Sequence, residues 1–556
     1  MRKLIFTLLF SALFLTIFAS AEKKSEKEAM SRNLNIFTTI FKELQTGYVD
    51  SIDVDKSMRT AIDAMLNQID PYTEYIPESD REEFMTISTG EYGGIGAVIS
   101  QHGDTVVINE PYLESPAMKA GLIAGDRILK IDGDTMLKLG TAKVRERLRG
   151  KAGTSFKIEI KRPYAADGDS LRTFTVVREI ININPVPYYG LLPNGIGYIQ
   201  LTTFNEKSAQ KVEDALIDLK KNPELKGIIL DLSGNGGGLL ESAVRIVGLF
   251  VPKGTEVLRT RGRALDNEKI YKTTNKPVDT EIPLAILVDG GSASSSEIVT
   301  GALQDLDRAV IVGSRTYGKG LVQQTRLLPY QGLLKLTVAK YYIPSGRLIQ
   351  AIDYSHRNPD GSVARIPDSL TTVYKTAGGR EVRDGGGITP DIKVEYPEGN
   401  RLVYNIVRDN WAFDYATLFA SKNKTIPPVE EFEITDTIYD DFKNFIDPSR
   451  LNYDKACEIM VEQLEKVAKN EGYMNDSVQV QINILKDMLK HNLNKDLDIN
   501  RKDISKYLGN EIVTRYYNQE GSVRYAINFD LAVDSASSVL LDRGKYNGIL
   551  GKKVRK

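Results

Sequence analysis

The stretch ILVDGGSASSSEIVTGALQD, residues 286–305, decides the fold. Its apolar start has the length of a buried strand, and four serines follow within residues 292–296. The remainder carries apolar residues at helical spacing, so the stretch predicts a strand that leads directly into a helix. Serines at such a corner either cap the helix, a role that serine suits well, or include a nucleophile.

The sequence on both sides continues this alternation of strands and helices between residues 180 and 397. The predicted strands are GYIQLTTF, GIILDLSG, LAILVDGG, AVIVG and LKLTVAKYYI. The predicted helices are SAQKVEDALIDLKK, LLESAVRIVGLF and SEIVTGALQDL. Because these strands are apolar along their length, the pattern predicts a layered α/β domain with a sheet buried on both faces.

A serine nucleophile needs a base that takes its proton. No histidine lies between residues 103 and 355, the span that holds the serine cluster. Lys319, in GSRTYGKGLVQQTRL (313–327), is the alternative base. Burial in an apolar slot disfavours the ammonium form and leaves a neutral amine that accepts a proton. Gly-Lys-Gly alone leaves open that Lys319 is an ordinary solvated lysine.

A third stretch, GIILDLSGNGGGLLESAV (227–244), ends a strand in a glycine-rich turn that opens a helix. The backbone N–H groups of such a turn are able to hold a developing oxyanion. A phosphate loop would need Gly-Lys-Ser/Thr at the end of the glycines, where Leu239 and Leu240 stand instead. A nucleotide-binding role and a purely structural turn stay open as alternatives.

Residues 87–178 consist of short β-rich runs separated by Gly and Asp turns. GGIGA at 93–97 and SPAMKAGLIAGDRILKIDG at 115–133 resemble a PDZ domain. The resemblance implies that the loop Gly93, Gly94, Ile95, Gly96 and Ala97 binds the terminal carboxylate of a peptide. Small residues let consecutive N–H groups converge there while the peptide adds as a strand.

The segments DLSGNGGGLL, VDGGSASSSEIVTGALQD and GSRTYGKGLVQ, in this order, resemble the carboxyl-terminal processing peptidases. These tail-specific proteases of the S41 type are serine endopeptidases that carry a PDZ domain before the catalytic core. GGGITPDIKVEYP (385–397) is similar to the end of that core. The resemblance implies that Ser294 is the nucleophile, Lys319 the general base and Gln323 the residue that orients the lysine.

The resemblance also implies an oxyanion hole formed by the backbone N–H of Gly237, with Gly236 as the second choice, and of Ser295. Asp305 aligns with an acidic residue tied to activity in some relatives. It lies about three helical turns from Ser294, so we expect a structural role. Ser233 departs from the pattern, because relatives often carry arginine there, which leaves open how the turn is held.

The predicted fold class is multidomain α+β. The predicted divisions are a signal peptide (1–21), an N-terminal helical region (22–86), a PDZ domain (87–178), an S41-type peptidase core (179–399) and a mainly helical C-terminal domain (400–556). We expect no metal and no cofactor. The expected partners are protein substrates with accessible C-terminal tails, and oligomer formation and peripheral membrane association stay open.

The first residues, MRKLIFTLLFSALFLTIFASAEKK, predict export. Arg2 and Lys3 precede an apolar run, and Ala19-Ser20-Ala21 supplies the small residues of a cleavage site near Ala21. We therefore expect a periplasmic location, with an N-terminal membrane anchor as the alternative. A net charge of −1 gives no support for a nucleic-acid partner. The alternative function is an exported PDZ binding or scaffold protein with an inactive peptidase core.

Overall fold

The structure is a computed structural model that describes residues 27–165, 170–263, 268–358, 360, 362–397, 399–451 and 456–551. The predicted signal peptide lies outside these residues. In the part of the chain that is described, no helix has the length and apolar character needed to cross a bilayer. The described chain forms two compact units, one of residues up to Pro77 with Thr325–Leu336 and one of the remainder.

Up to Pro77, the described residues of the first unit form two helices and a short strand. Its elements are α1 (27–47), α2 (Val54–Asn67) and β1 (Glu74–Ile76). The Asp53 carboxylate caps α2 by accepting from the Lys56 N–H at 3.0 Å. The sequence predicted only helices with a break here, whereas β1 pairs antiparallel with residues 333–335. Tyr75 and Ile76 favour this pairing because aromatic and β-branched side chains suit a pleated surface.

The second unit begins with α3 (Arg81–Thr89) and a small antiparallel sheet. Its elements are β2 (Glu91–Gly94), β3 (Ala97–His102), β4 (Thr105–Pro111), α4 (Pro116–Lys119), β5 (Arg127–Ile131), β6 (Asp134–Thr135), α5 (Thr141–Leu148), β7 (Ser155–Lys161), β8 (Leu171–Val177) and β9 (Glu179–Asn182). The strand order is β3-β4-β5-β7-β8, with β6 on β5, and β2 pairs separately with β9. In β7, Phe156, Ile158 and Ile160 are buried and alternate with polar residues, so one face of the sheet forms the core.

The peptidase-like region is built on a second sheet with the strand order β10-β11-β12-β15-β16-β23. Its elements are β10 (Tyr189–Leu191), β11 (Ile196–Gln200), α6 (Ser208–Leu219), β12 (Gly227–Asp231), α7 (Leu240–Val247), β13 (Glu256–Arg261), β14 (Lys269–Lys272), β15 (Leu284–Val288), α8 (Ser295–Asp305), β16 (Val310–Gly313), β17 (Leu321–Leu327), β18 (Leu333–Tyr342), β19 (Ile352–Arg357), β20 (Val363–Arg365), β21 (Val373–Lys375), β22 (Glu381–Arg383) and β23 (Ile392–Lys393). All neighbours in this sheet are parallel except β10 and β11. Every residue of β12 and of β15 is buried, as the apolar runs predicted.

The C-terminal region is helical. Its helices are α9 (Arg401–Arg408), α10 (Trp411–Lys422), α11 (Asp436–Phe445), α12 (Ala456–Asn470), α13 (Asp476–Leu489), α14 (Leu493–Ile499), α15 (Arg501–Ile527), α16 (Leu531–Leu541) and α17 (Arg543–Ile549). A core that includes Trp411, Phe442 and Leu508 joins several of them. The architecture of helices, a PDZ-like sheet, a layered α/β core and C-terminal helices confirms the predicted multidomain α+β class.

Helix α16 covers one face of the parallel sheet. Ala532, Ala536 and Val539 share a core with Ile229 and Leu287, whose side chains point to that face. The opposite face packs against α6, α7 and α8, whose contributing residues include Val212, Val247 and Val299. Residues near the C-terminus therefore complete the α/β layers, although the sequence placed them in a separate region.

The PDZ-like sheet contacts the C-terminal helices through two half-buried polar residues, His102 and Glu110. The rings of His102 and Phe413 lie 4.7 Å apart between centroids. Burial, together with the nearby charges of Arg127 and Arg515, lowers the pKa of His102 to about 4. The Gln519 N–H donates to Glu110 at 2.7 Å. These contacts fix the PDZ-like sheet against the helices that follow the core.

Candidate active site

The three segments that the sequence singled out follow the carboxyl ends of neighbouring parallel strands. The glycine-rich turn follows β12, the serine cluster follows β15, and the lysine segment follows β16. Because parallel strands end at the same edge of a sheet, the three segments meet there. The topology thus brings together residues that are far apart in the sequence.

Ser294 occupies the corner between β15 and α8 in an unusual conformation. Its φ of 56° and ψ of −113° lie outside the regions that non-glycine residues populate. Such backbone strain persists only when the surroundings hold it, and it is concentrated at functional sites. The conformation sets Ser294 apart from the serines that flank it.

The other three serines of the cluster hold the glycine-rich turn through their hydroxyl groups. The bonds run from Ser292 Oγ to the Leu232 carbonyl at 2.8 Å, from Ser295 Oγ to the Gly238 carbonyl at 2.9 Å, and from Ser296 Oγ to the Asn235 carbonyl at 2.7 Å. Among the described residues, Ser294 Oγ makes no bond of this kind to the turn. The hydroxyls of Ser292, Ser295 and Ser296 thus have a structural role in holding the turn, whereas Ser294 stands at the N-cap position of α8.

Glu297 ties the serine corner to the lysine segment. Its fully buried carboxylate accepts from the backbone N–H of Ser294 at 2.9 Å, of Gly318 at 2.8 Å and of Lys319 at 2.8 Å. It also accepts from Thr316 Oγ1 at 2.5 Å. Burial raises the pKa of Glu297, and these donors act in the opposite direction. The sequence analysis missed this residue, although a glutamate three positions after an N-cap serine is the capping-box pattern.

Tyr341 joins the same two segments from the carbonyl side. Its hydroxyl lies 2.8 Å from the Lys319 carbonyl oxygen and 3.2 Å from that of Ser294. The side chain is 1% exposed, and this burial raises the pKa of Tyr341 well above its usual value. The phenol therefore stays protonated and is available as a donor to these carbonyl groups. The sequence analysis missed it, because a tyrosine in an apolar strand carries no signal of such a role.

Glu297 and Tyr341 together fix the main chains of Ser294 and Lys319 relative to each other. The carboxylate holds the two N–H groups, and the phenol lies within reach of the two carbonyl groups. Lys319 is half-buried, whereas the sequence analysis expected an enclosed amine. The two residues predicted as nucleophile and base are thus brought together through their backbones.

Gln323 and Asp305 each contact a side chain elsewhere in the fold. Gln323, on β17, donates from its amide nitrogen to Thr337 Oγ1 at 3.2 Å. Asp305, at the end of α8, forms an ion pair with Arg347 at 2.8 Å, and both side chains are at most 1% exposed. Its carboxylate also accepts from the Ser345 N–H at 3.0 Å. These contacts give Asp305 a buried partner within the fold.

The glycine-rich turn packs directly against Ser294. Gly237 has a φ of +100°, and a Cβ at this position would lie 2.7 Å from the Ala293 carbonyl oxygen and 2.8 Å from Ser294 Cβ. The Gly237 N–H, predicted as the first oxyanion donor, donates to Asn235 Oδ1 at 2.9 Å. Gly236 is exposed. The turn is therefore close to Ser294, with one predicted donor engaged by a neighbouring side chain.

Two aspartates hold the start of the turn, where Ser233 replaces the arginine expected from the resemblance. Asp231 accepts from the Ser233 N–H at 2.8 Å. Asp289 accepts from the Gly234 N–H at 2.9 Å. Ser233 itself is exposed. The turn is thus held by backbone bonds to carboxylates, which need no arginine at position 233.

The predicted carboxylate loop lies at a groove of about 230 Å³ between β3 and α5. Ile95 and Ala97 line this groove. Gly93 and Gly94 belong to β2, and the Gly93 carbonyl accepts from the Gly150 N–H at 3.1 Å. Gly96 has a φ of +68°, and a Cβ there would lie 2.6 Å from Ser115 Cβ. The glycine at position 96 is thus required by both conformation and space.

Comparison with known proteins agrees with this architecture. Residues 195–363 match peptidase family S41, residues 107–162 match the PDZ domain, and residues 402–540 match the family described as "Probable PDZ-protease, C-terminal helical domain". The carboxy-terminal-processing protease of Bartonella bacilliformis is 35% identical over 356 residues, which are 63% of this chain and 80% of that protein. The chain therefore belongs to peptidase family S41, among the carboxy-terminal-processing proteases, and the predicted resemblance is confirmed.

Two further similarities cover most of the same chain. The "Probable CtpA-like serine protease" of Staphylococcus aureus is 29% identical over 82% of this chain and 85% of that protein. The solved structure of a photosystem II D1 C-terminal processing protease is 25% identical over 65% of this chain and 92% of that chain, with a TM-score of 0.34. Membership of the family supports a serine protease.

Replacement of Glu297 by glutamine is expected to destabilise the protein. One carboxylate oxygen becomes an amide that faces backbone N–H donors and leaves at least one of them unpaired in a buried site. We expect a loss of about 2–4 kcal/mol in the free energy of unfolding, measured by denaturant titration. Glu241→Gln, in the exposed first turn of α7, is the matched control and should change it by less than about 0.5 kcal/mol. Equal stabilities of the two variants would contradict the role given to Glu297.

Neighbouring glycines of the turn are expected to differ sharply in their tolerance of alanine. Gly237→Ala places a methyl group within 3 Å of three atoms at a positive φ, whereas nothing lies within 4 Å of a Cβ at Gly236. We expect Gly237→Ala to destabilise the fold by at least about 2 kcal/mol and Gly236→Ala to change it by less than about 0.5 kcal/mol. Thermal unfolding of both variants measures the difference, and similar melting temperatures would contradict the packing described for Gly237.

Proposed function

We propose that this protein is an exported serine endopeptidase that cleaves peptide bonds with a dyad of Ser294 and Lys319. The observation that carries the proposal is that two buried side chains contact the backbones of both residues. Glu297 accepts from their N–H groups, and the Tyr341 hydroxyl lies within hydrogen-bond distance of their carbonyl groups. A lysine-activated nucleophile needs the amine within hydrogen-bond reach of the serine hydroxyl, and the closeness of these two main chains supports such an arrangement. Membership of family S41 supports the same chemistry.

The proposed reaction begins when the neutral amine of Lys319 accepts the proton of Ser294 Oγ as this oxygen attacks a peptide carbonyl carbon. The carbonyl oxygen becomes an oxyanion that accepts hydrogen bonds from the N–H groups of Gly237, Gly236 and Ser295. The Lys319 ammonium then protonates the leaving amine, and the C–N bond breaks. A water molecule, deprotonated by the same amine, then attacks the acyl carbon, the ester bond to Ser294 Oγ breaks, and the Lys319 ammonium returns the proton to this oxygen while the new carboxyl end leaves.

A bound substrate would bury the part of Lys319 that is exposed in the free protein. Lys319 is half-buried, so part of its surface is open to the solvent before a peptide arrives. A bound peptide that covers this surface would remove water and disfavour the ammonium form. Gln323, fixed by its bond to Thr337, is the residue proposed to orient the amine.

The PDZ domain is proposed to hold the C-terminal tail of the substrate. Strand β3 ends the strand order of its sheet, so its outer edge is available to an added peptide strand. The segment Gly93–Ala97 runs from the end of β2 to the start of this strand, with Ile95 and Gly96 between the two strands, and its N–H groups would receive the terminal carboxylate. Substrates would then need an accessible, unfolded tail.

Cleavage of an unfolded protein with a free or an amidated C-terminus tests the proposal. Ser294→Ala and Lys319→Ala are each expected to lower kcat/KM by at least about 10³-fold, because each removes a group that takes part in bond cleavage. Lys340→Ala, at an exposed position, is the matched control and should retain activity. The amidated substrate should be cleaved more slowly than the free one.

Two outcomes would contradict the proposal. Unchanged cleavage by Ser294→Ala would remove the nucleophile assignment. Tail binding without any cleavage by the wild-type protein would favour the alternative of an exported binding protein with an inactive core. Export is tested by determining the first residue of protein recovered from the periplasm. This residue should be Glu22 if cleavage follows Ala21.

A further inference from the structure

The PDZ groove combines an apolar floor with two arginines. Its apolar lining comes mainly from β3 and α5 and comprises Ile95, Ala97, Val98, Ile99, Leu148 and Ile183. Tyr92, Tyr112, Arg145 and Arg149 complete the lining. An apolar lining suits an apolar side chain at the end of a peptide, whereas the arginines attract negative charge. The two arginines are therefore the features that would distinguish one apolar tail from another.

A carboxylate of the protein itself already lies between these arginines. Glu83 Oε1 is 3.2 Å from Arg145 Nη1 and 3.8 Å from Arg149 Nη1. Glu83 belongs to α3, which precedes the PDZ sheet, and its side chain is 59% exposed. Exposed pairs of this kind contribute at most about 1 kcal/mol, so another carboxylate is able to displace Glu83. The pair of guanidinium groups thus shows the geometry of a carboxylate site whose present occupant is weakly held.

The two arginines differ in their distance from the end of the groove where the tail would terminate. Arg149 follows the last residue of α5 and lies with its guanidinium carbon 4.8 Å from the centre of the Tyr92 ring. The next residue, Gly150, bonds to Gly93 of the glycine loop. Arg145 lies about one helical turn earlier, in the middle of α5, three residues before Leu148 and on the same face.

The rise of helix α5 and the side-chain repeat of an extended peptide together indicate which residue of the tail Arg145 would contact. Three helical residues span about 4.5 Å, and side chains on one face of an extended peptide recur about every 6.6 Å. When the last side chain of the tail packs near Leu148, the preceding one points away from α5. The side chain two positions before the last then faces Arg145, which is long enough to cover the remaining distance.

We propose that Arg145 is a specificity-determining residue that selects tails with an acidic side chain two positions before an apolar last residue. Glu83 occupies the site in the free protein, and the acidic side chain of the tail displaces it. The inference rests on the proposed function, since it requires that the PDZ groove binds C-terminal tails. It adds the chemical class of the tail that is preferred.

Binding of short labelled peptides to the full-length Ser294→Ala protein, which should not cleave them, tests the inference by fluorescence anisotropy. The peptides differ only at their ends, which are Glu-Ala-Val, Gln-Ala-Val and amidated Glu-Ala-Val. The Glu tail is expected to bind about fivefold more tightly than the Gln tail, with a ratio that falls as salt is added. Glu83→Gln should increase this ratio, because it removes the competing carboxylate.

Arg145→Gln is expected to abolish the preference for the Glu tail and to leave the affinity for the Gln tail unchanged. Arg147→Gln is the matched control, since Arg147 lies on the same helix, is 59% exposed and pairs with Asp134 at 3.3 Å. This control should keep the fivefold ratio. The comparison of Glu and Gln tails on the unchanged groove needs no variant of α5, so it stands even where Arg145→Gln fails to fold.

The peptides separate a failure of this inference from a failure of the proposed function. Equal affinities for the Glu and Gln tails, with a clear preference for the free over the amidated end, would overturn only the role of Arg145. Equal affinities for the free and the amidated end would contradict tail recognition itself. Retention of the Glu preference in Arg145→Gln would also overturn the assignment.

Discussion

The buried carboxylate of Glu297 is the interaction on which the site depends. A buried charge is tolerated only where donors replace the water that it has lost, and Glu297 has three backbone N–H groups and one hydroxyl around it. The donors come from two chain segments that are more than twenty positions apart. Because the carboxylate needs all of them, it fixes the corner of α8 and the lysine segment in one arrangement.

The parallel sheet explains why one carboxylate is able to reach both segments. Strands β15 and β16 are neighbours, so the chains that leave their carboxyl ends run side by side. Strand β12 lies on the other side of β15 and delivers the glycine-rich turn to the same edge. Helix α16 and the helices of the opposite layer bury both faces of this sheet. The site therefore lies at the edge of a sheet that is packed on both sides.

The sequence predicted the parts of the site that carry local patterns. The glycine-rich turn, the serine corner and the Gly-Lys-Gly segment each combine unusual residues over a short distance, and the structure brings all three to one edge. Tyr341 was missed because its role depends on the path of β18, which no local pattern encodes. Strand β1 was missed for a similar reason, since its partner lies more than two hundred residues away. Glu297 was within reach, because the capping-box spacing was visible in the sequence.

The glycine-rich turn contains the part of the site whose backbone dihedral angles are least restrained. For the Gly237 N–H to reach an oxyanion, its bond to Asn235 Oδ1 has to open. Asn235 is fully buried, and its amide nitrogen donates to the Leu201 carbonyl at 2.6 Å, so its side chain is held at both ends. Gly236, in contrast, has open space around it and no side chain to restrain its dihedral angles. If the Gly237 N–H serves as the proposed donor, a rotation of the peptide between Gly236 and Gly237 would free it with the least disturbance, while the serine hydroxyls keep both ends of the turn in place.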